Sequence, residues 1–385
     1  MNKLADYIKS NKTTIIALFI CAVLFIAGYL WAKPEKIDPG EYGDSAAYET
    51  ARVDTVLSDN TEIDPASDNA YRGEQMLIVT VTSGPLKGKQ LQTYNYIGPL
   101  YGSPVSPGDS VTIIISTYSD GSIRSTVYEY ARVVPLLIIG GLFILATVLV
   151  GGKNGVKSLV GLAITVLSLF CILLPALLKG APTVLSTLLV GIYVSVVTLL
   201  IIGGAQKKTW CALFGTVSGM VLAFLFALIA QSLLRIDGLR SPDAEPLLQL
   251  RQTGTPIGLK GLLSAGVIIS SLGAVMDVAM SLSSSLQEVH AANPELGFKE
   301  LFKSGMNIGR DMVGTMTNTL ILAFLGSGLV LILYIYSISP KPYQLISSAY
   351  VAMETMSGIS SSIGVILSVP ITALIAAKAY GKKDA

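Results

Sequence analysis

Hydrophobic and polar positions divide the chain into three zones. Thr13 to Ala32 is a continuous apolar run preceded by Lys3, Lys9 and Lys12. Its length suits a bilayer crossing, and it exceeds the short apolar core of a cleaved leader. We read 1–32 as an amino-terminal tip and a first membrane helix. From Lys33 to Val133 the long apolar runs give way to polar residues and period-two alternation. The stretch 33–70, rich in Asp, Glu and Pro, predicts a tether and an irregular acidic loop. Beyond it, alternation predicts strands at 51–57, 76–82, 90–97, 110–116 and 123–130, with Asp120-Gly121 as a two-residue hairpin signal. Short strands at this spacing fit a small all-β domain, either a barrel of the oligonucleotide/oligosaccharide-binding (OB) kind or a compact sandwich. The last zone, 134–385, carries seven apolar spans near 134–150, 157–178, 183–203, 210–234, 259–282, 312–336 and 345–377. The fold class expected is an α-helical polytopic membrane protein of about eight spans, with a small all-β domain between the first two.

Composition agrees with that class. The 385 residues are 51% apolar and only 14% charged, where ordinary globular chains carry about 25% charge. Lys and Arg decide the orientation. Lys153 and Lys157, Lys207 and Lys208, Lys299, Lys303 and Arg310, and Lys378, Lys382 and Lys383 all fall on the side of the amino-terminal lysines. Both termini are therefore expected in the cytoplasm of a cell whose plasma membrane holds the protein, with residues 33–133 outside. Cys21, Cys171 and Cys211 all lie in apolar spans and imply no disulfide framework, and His290 is the sole histidine. A zinc site or a Ser-His pair lacks material, no catalytic residues are assigned, and neither cofactor nor metal is called for. The Ser-Asp-Asn repeats at 58–60 and 67–69 lack the spacing of a known calcium loop. Nucleic acid is not an expected partner. The bilayer and an unknown solute or ion are, an envelope protein is a further candidate, and oligomerisation stays open.

Candidate chemistry concentrates in 259–328. Gly266, Ser270, Gly273, Asp277 and Ser281 recur at three- and four-residue spacing, so they share one helix face. An ionised Asp inside a membrane costs roughly 2.5–3.5 kcal/mol even on the lenient insertion scale, so Asp277 needs a partner, a cavity or a job. The next span begins with Thr315, Asn318 and Thr319, which we expect at the depth of Asp277 as its hydrogen-bond partners. Arg310 and Asp311 lie at the mouth as interface or gating residues, where mutual neutralisation is the alternative. Gly266, Gly273 and Gly314 are expected at close helix contacts. Glu354, followed by a Ser/Gly-rich run, is a second membrane acid nearer the outer side. Phe298, Leu301, Phe302 and Met306 alternate with Lys299, Glu300 and Lys303, which predicts an interfacial helix on the inner leaflet. Gly151-Gly152 and Gly203-Gly204, each followed by Lys, end spans at the inner face or mark a weak hairpin repeat.

The order of the strand domain with Gly108-Asp109, Arg132, Pro175, Gly203-Gly204, Gly215-Thr216, Gly273-Ala-Val-Met-Asp277, Gly309-Arg310-Asp311 through Asn318-Thr319, and Pro370 resembles the YibE/F family of multi-pass membrane proteins. The resemblance runs from about Arg52 onward and implies a bacterial cell-membrane protein, with no settled activity to carry over. Residues 266–327 also resemble the membrane regions of RND permeases and SecD/SecF export proteins, where Asp277 matches the acid used for proton coupling. The function expected is a proton- or ion-coupled transporter or export-associated permease, not an enzyme, with Asp277 as the coupling acid. The alternative is a non-transporting scaffold whose external β domain binds an envelope partner. A third reading, an aspartyl hydrolase using Asp277 and Asp311, is disfavoured by Arg310 beside Asp311.

Overall fold

The computed structural model describes residues 12–33, 46–118, 122–239, 244–252, 254–338 and 341–382. The amino-terminal tip with Lys3 and Lys9, residues 34–45 of the acidic stretch, the Asp120-Gly121 hairpin signal and Lys383 lie outside these. The chain divides into two compact units, a helical one (Met1–Glu35 with Thr147–Ala385) and a β unit (Lys36–Ala146).

A first helix, α1 (Lys12–Ala32), precedes the strands β1 (Ala46–Asp59), β2 (Glu62–Asp64), β3 (Ala70–Val81), β4 (Gln90–Ile97), β5 (Ser110–Thr117) and β6 (Ile123–Tyr130). Strand β1 is long enough to serve two neighbours, pairing β5 along Ala46–Arg52 and β3 along Ala51–Asp59. With β3–β4 and β5–β6 antiparallel and β4–β6 parallel at Tyr94 and Thr126, the strands close in the order β1-β3-β4-β6-β5-β1. That circuit is the five-stranded OB barrel, and closure removes the sandwich alternative. The acidic stretch expected as irregular instead forms β2 and a 3₁₀ turn, Pro65–Ser67, paired back onto β3.

Alternation explains the barrel interior. Leu77, Val79 and Val81 of β3, Ala51 and Val53 of β1, and Val111, Ile113 and Ile115 of β5 all point inward, with Val105 entering from a loop. The same inward register continues into polar residues at one end, Gln75, Thr93 and Asn95, all buried. Their polar atoms are satisfied internally, as burial requires. The Asn95 amide donates to Gln75 Oε1 (3.0 Å) and to the Ser103 carbonyl (2.9 Å). The Gln75 amide donates to Asp59 Oδ2 (2.9 Å), and Val105 N–H donates to Gln75 Oε1 (3.0 Å). Hydrogen bonds from the Thr61 hydroxyl, then Gln75 and the Thr61 amide, hold the Asp59 carboxyl below the usual carboxylate range. Asp64 is lowered chiefly by the Ser67 hydroxyl and also pairs with Arg72. Asp59 and Asp64 of the Ser-Asp-Asn region are thus engaged within the domain.

The helical unit comprises α1, the part of α2 (Val133–Ser168) from Thr147 onward, a π-turn (Leu169–Leu173), α3 (Leu174–Leu178), α4 (Thr183–Gly203), α5 (Lys207–Leu234), α6 (Glu245–Gln252), α7 (Leu262–Ala292), α8 (Phe298–Ser327), α9 (Leu329–Ile338), α10 (Pro342–Ile346) and α11 (Ala349–Tyr380). Among the described residues five helices are long and apolar enough to cross a membrane, or six if α8 and α9 count as one broken span. The expected eight spans are thus not eight separate helices. Those expected at 134–150 and 157–178 belong to one helical run, Val133–Leu178, broken at Gly152 (φ 53°, ψ −134°). Only glycine adopts that conformation freely, and the kink there brings Gly155 against the Thr147 carbonyl. The span expected at 312–336 is bent by 64° between α8 and α9. The apolar part of α1, Ile16–Ala32, is shorter than the others.

Helices α5, α7, α8 and α11 pack most closely, around cores that include Val275, Val278, Leu282, Leu286, Val365 and Val369. Glycine allows the approach: a Cβ on Gly219 of α5 would lie 2.9 Å from the Gly364 carbonyl of α11, and one on Gly364 would lie 2.9 Å from the Gly219 carbonyl. Gly305 of α8 abuts Leu286 and Ala373, and Gly309 abuts Val369. This corrects the expected interfacial helix. Residues 298–306 begin the continuous α8, and Leu301 is fully buried. Apolar side chains at that spacing satisfy a bundle seam as well as a leaflet.

Candidate functional site

A cavity of about 350 Å³ is walled by α2 (Ser158, Leu162, Thr165), α4 (Thr187 to Ile202) and α7 (Ile268 to Asp277). Its walls are largely Leu, Ile and Val, so the polar exceptions define its chemistry: Ser158, Thr165, Thr187, Thr198 and Asp277. The helix register places them. Gly191 meets Ile268 and Gly203 meets Met280, a constant offset that sets Asp277 level with Leu200, within a turn of Thr198. Gly161 meets Thr198, and Lys157 Nζ donates to the Ile202 carbonyl, so Ser158 lies at the same level. Asp277, Thr198 and Ser158 therefore cluster near the end of the bundle that carries Lys153, Lys157, Lys207 and Lys208.

Their hydrogen bonding is uneven. Thr165 and Thr187 donate to their own helices, at the Gly161 and Thr183 carbonyls (2.9 and 2.8 Å). The Thr198 hydroxyl is buried without a partner. No hydrogen bond or ion pair within the described residues reaches the Asp277 carboxylate. The cavity thus presents one carboxylate and, near its depth, two hydroxyls without a hydrogen bond among the described residues, the buried Thr198 and the exposed Ser158, a geometry suited to a proton, a small cation or a polar solute group. No group of three or more His, Cys, Asp or Glu among the described residues is placed to hold a metal.

The remaining expected residues lie elsewhere. Thr315 and Thr319 are exposed on α8 and donate to their own helix, at the Met312 and Thr315 carbonyls. Asn318 is exposed, and none of the three lines the Asp277 cavity or bonds to it. The shared depth inferred by counting residues from each span's end does not produce contact. Arg310 and Asp311 are exposed and form no ion pair with each other, because consecutive helical residues diverge by about 100°. Glu354 lines a second cavity of about 200 Å³ with Leu262, Leu263, Tyr350 and Ser357. It lies beside the start of α7, about 22 Å along that helix from Asp277 at 1.5 Å per residue.

Gly266, Gly273 and Gly314 also depart from expectation. Nothing lies within 4 Å of a Cβ built on any of them. The small-residue face of α7 is real but open at its glycines: Ser270 Oγ lies 3.0 Å from Ser361 Oγ of α11, while Gly273 and Asp277 form cavity wall. Sequence reasoning missed Thr198 and Ser158, whose only signal is a hydroxyl in an apolar span.

Long apolar helices around a polar-spotted cavity, with a small barrel on the same chain, define a polytopic helical protein of the kind suited to a membrane. Residues 139–382 match the model of the YibE/F-like protein family, and the chain belongs to that family. The match covers the helical bundle and leaves the barrel outside, a narrower extent than the resemblance from Arg52 suggested. No curated protein and no solved structure matches the chain.

Proposed function

We propose that the helical unit spans a cell membrane with both termini inside and works as a proton- or ion-coupled carrier, with Asp277 as the coupling acid. One observation carries this reading: the sole carboxylate among the described residues that line the cavity has no hydrogen-bond partner among them. A membrane acid left without internal compensation costs at least about 2.5–3.5 kcal/mol when ionised. A proton or a bound cation removes that cost, and either can come and go. Thr198 and Ser158 offer oxygen atoms at the same level, and Lys153 and Lys157 after the Gly152 break of α2, with Lys207 and Lys208 at the start of α5, support a site near the inner face. The resemblance of residues 266–327 to RND permease and SecD/SecF membrane regions supports a coupling role for Asp277. It does not extend to Thr315, Asn318 and Thr319, which point away.

Thermal unfolding of the purified protein, across pH and across Na⁺, K⁺ and Ca²⁺, tests this with Asp277→Asn alongside. Binding to the folded state raises apparent stability by mass action. A pH- or cation-dependent shift present in wild type and absent in Asp277→Asn is expected, and identical responses overturn the proposal. The scaffold reading draws on the barrel, whose outer surface exposes Tyr48 against Tyr128 (ring centroids 5.2 Å) and stacks Tyr94 with Tyr96. It expects activity in cells to survive Asp277→Asn and to be lost when these tyrosines are replaced.

A further inference from the structure

Helix α8 is two-faced. Leu301, Gly305 and Gly309, followed by Met312, Met316 and Leu320, turn toward the bundle core. On the opposite side Asn307, Asp311, Gly314 and Asn318 follow one another at spacings of four, three and four, with Arg310 next to Asp311. All five are exposed. The side chains of Asn307, Arg310, Asp311 and Asn318 make no hydrogen bond or ion pair within the described residues, and space is open around Gly314. On a lipid-facing surface such groups would stay unsatisfied, whereas in helix pairs polar side chains and small residues are what hold the contact.

We infer that a second copy of this chain covers this face, with α8 packed against α8 in parallel about a two-fold axis along the membrane normal. The stripe is complementary to itself. An alternating three-four spacing is the seam of a paired helix, and an Asn in such a seam fixes register and number of chains by bonding its own copy, since the amide both donates and accepts. A parallel two-fold brings Arg310 and Asp311 of both copies to one level, where the four charges sum to zero and each guanidinium reaches the other chain's carboxylate. A different partner would have to supply its own matching charges and amides. Gly314, between Asp311 and Asn318, lets the two backbones approach. The inference rests on the helices spanning a membrane but not on the role of Asp277, so either proposal can fail alone.

The full-length protein, with Cys21, Cys171 and Cys211 replaced by Ala, receives single cysteines at Gly314 or Asn318 and is oxidised in its native membrane. Phe214→Cys, exposed on α5, is the control. Cross-linked dimer is expected at both α8 positions, about ten-fold above the control, a difference worth roughly 1.4 kcal/mol in contact preference. In nanodiscs Arg310→Asp should lower the dimer fraction, and the double swap Arg310→Asp with Asp311→Arg should restore it, which a merely misfolded variant would not. A monomeric wild type, dimer unchanged by Arg310→Asp, or cross-links only to a different protein would each overturn the inference.

Discussion

Gly273→Leu separates the space of the cavity from the charge at its edge. Gly273 lies one turn before Asp277 on the cavity wall, with nothing within 4 Å of where its Cβ would sit. In a packed core such a substitution costs about 1–3 kcal/mol by overpacking, but here there is no neighbour to displace. Hydrophobic transfer contributes little inside a membrane, because lipid tails are as apolar as leucine. What remains is backbone preference: glycine in a helix interior is about 1 kcal/mol less favourable than alanine, and leucine is close to alanine. The variant should therefore unfold about 2–4 °C higher than wild type, the shift that 1 kcal/mol brings in a unit of this size. Its response to ligand should be lost. A cation at one hundred times its Kd stabilises wild type by about 2.7 kcal/mol, or roughly 5–10 °C, and the leucine occupies the space it would need. Thermal unfolding with and without Na⁺, K⁺ and Ca²⁺, and across pH, reads both effects. A midpoint lowered by several degrees would refute the open wall. A wild-type-like cation shift in Gly273→Leu would show that Asp277 is reached by another route.

The same Gly→Ala change should have opposite signs at two other sites. Gly219→Ala places a Cβ 2.6 Å from Val275 Cγ1 and 2.9 Å from the Gly364 carbonyl; forcing α5 and α11 apart costs about 1–3 kcal/mol, more than the roughly 1 kcal/mol gained in helix preference. Gly266→Ala meets nothing and should gain up to about 1 kcal/mol, so equal signs in unfolding experiments would contradict the crossing. In the barrel, Asp59 is held below the usual carboxylate range, so its stabilisation is present above the unfolded value of about 3.9 and is lost as pH falls through the lower folded value. Hydrogen exchange at β1 and β3 amides should accelerate over that acid window, and Asp59→Asn should flatten the change; an unaltered slope would remove Asp59 from the account.

How much of this was legible depended on whether a feature is local. Alternation located five strands because burial in a barrel repeats every second residue, and it carried through Thr93 and Asn95 even where the side chains turn polar, though it stopped short of Gln75. It missed β2 and the start of β1, where Ala46-Ala47-Tyr48-Glu49 pairs β5 without an apolar rhythm of its own. Apolar runs located the helices, but the kink at Gly152 and the bend after Ser327 are backbone events inside runs that read as uniform. The most specific motifs of the YibE/F resemblance lay at 273–327 in the bundle, and the family match is confined to 139–382, without Gly108-Asp109 and Arg132.

The α7 face shows where local reasoning stops. Gly266, Ser270, Gly273, Asp277 and Ser281 do share one side of the helix, as their spacing requires. That small residues there mean a tight neighbour does not follow. A glycine is equally compatible with a helix that comes close and with a cavity that must stay open, and only the other helices decide between them. At Gly219, Gly305, Gly309 and Gly364 a neighbour fills the space; at Gly266, Gly273 and Gly314 none does. The same logic leaves Thr315 and Asn318, near in sequence, away from Asp277 and brings Thr198 and Ser158 to its level through the α2–α4 and α4–α7 registers. Polar residues that sequence places together but the fold leaves facing outward then need their own explanation. On α8 the stripe from Asn307 to Asn318 finds one when a second chain supplies the same residues across a two-fold.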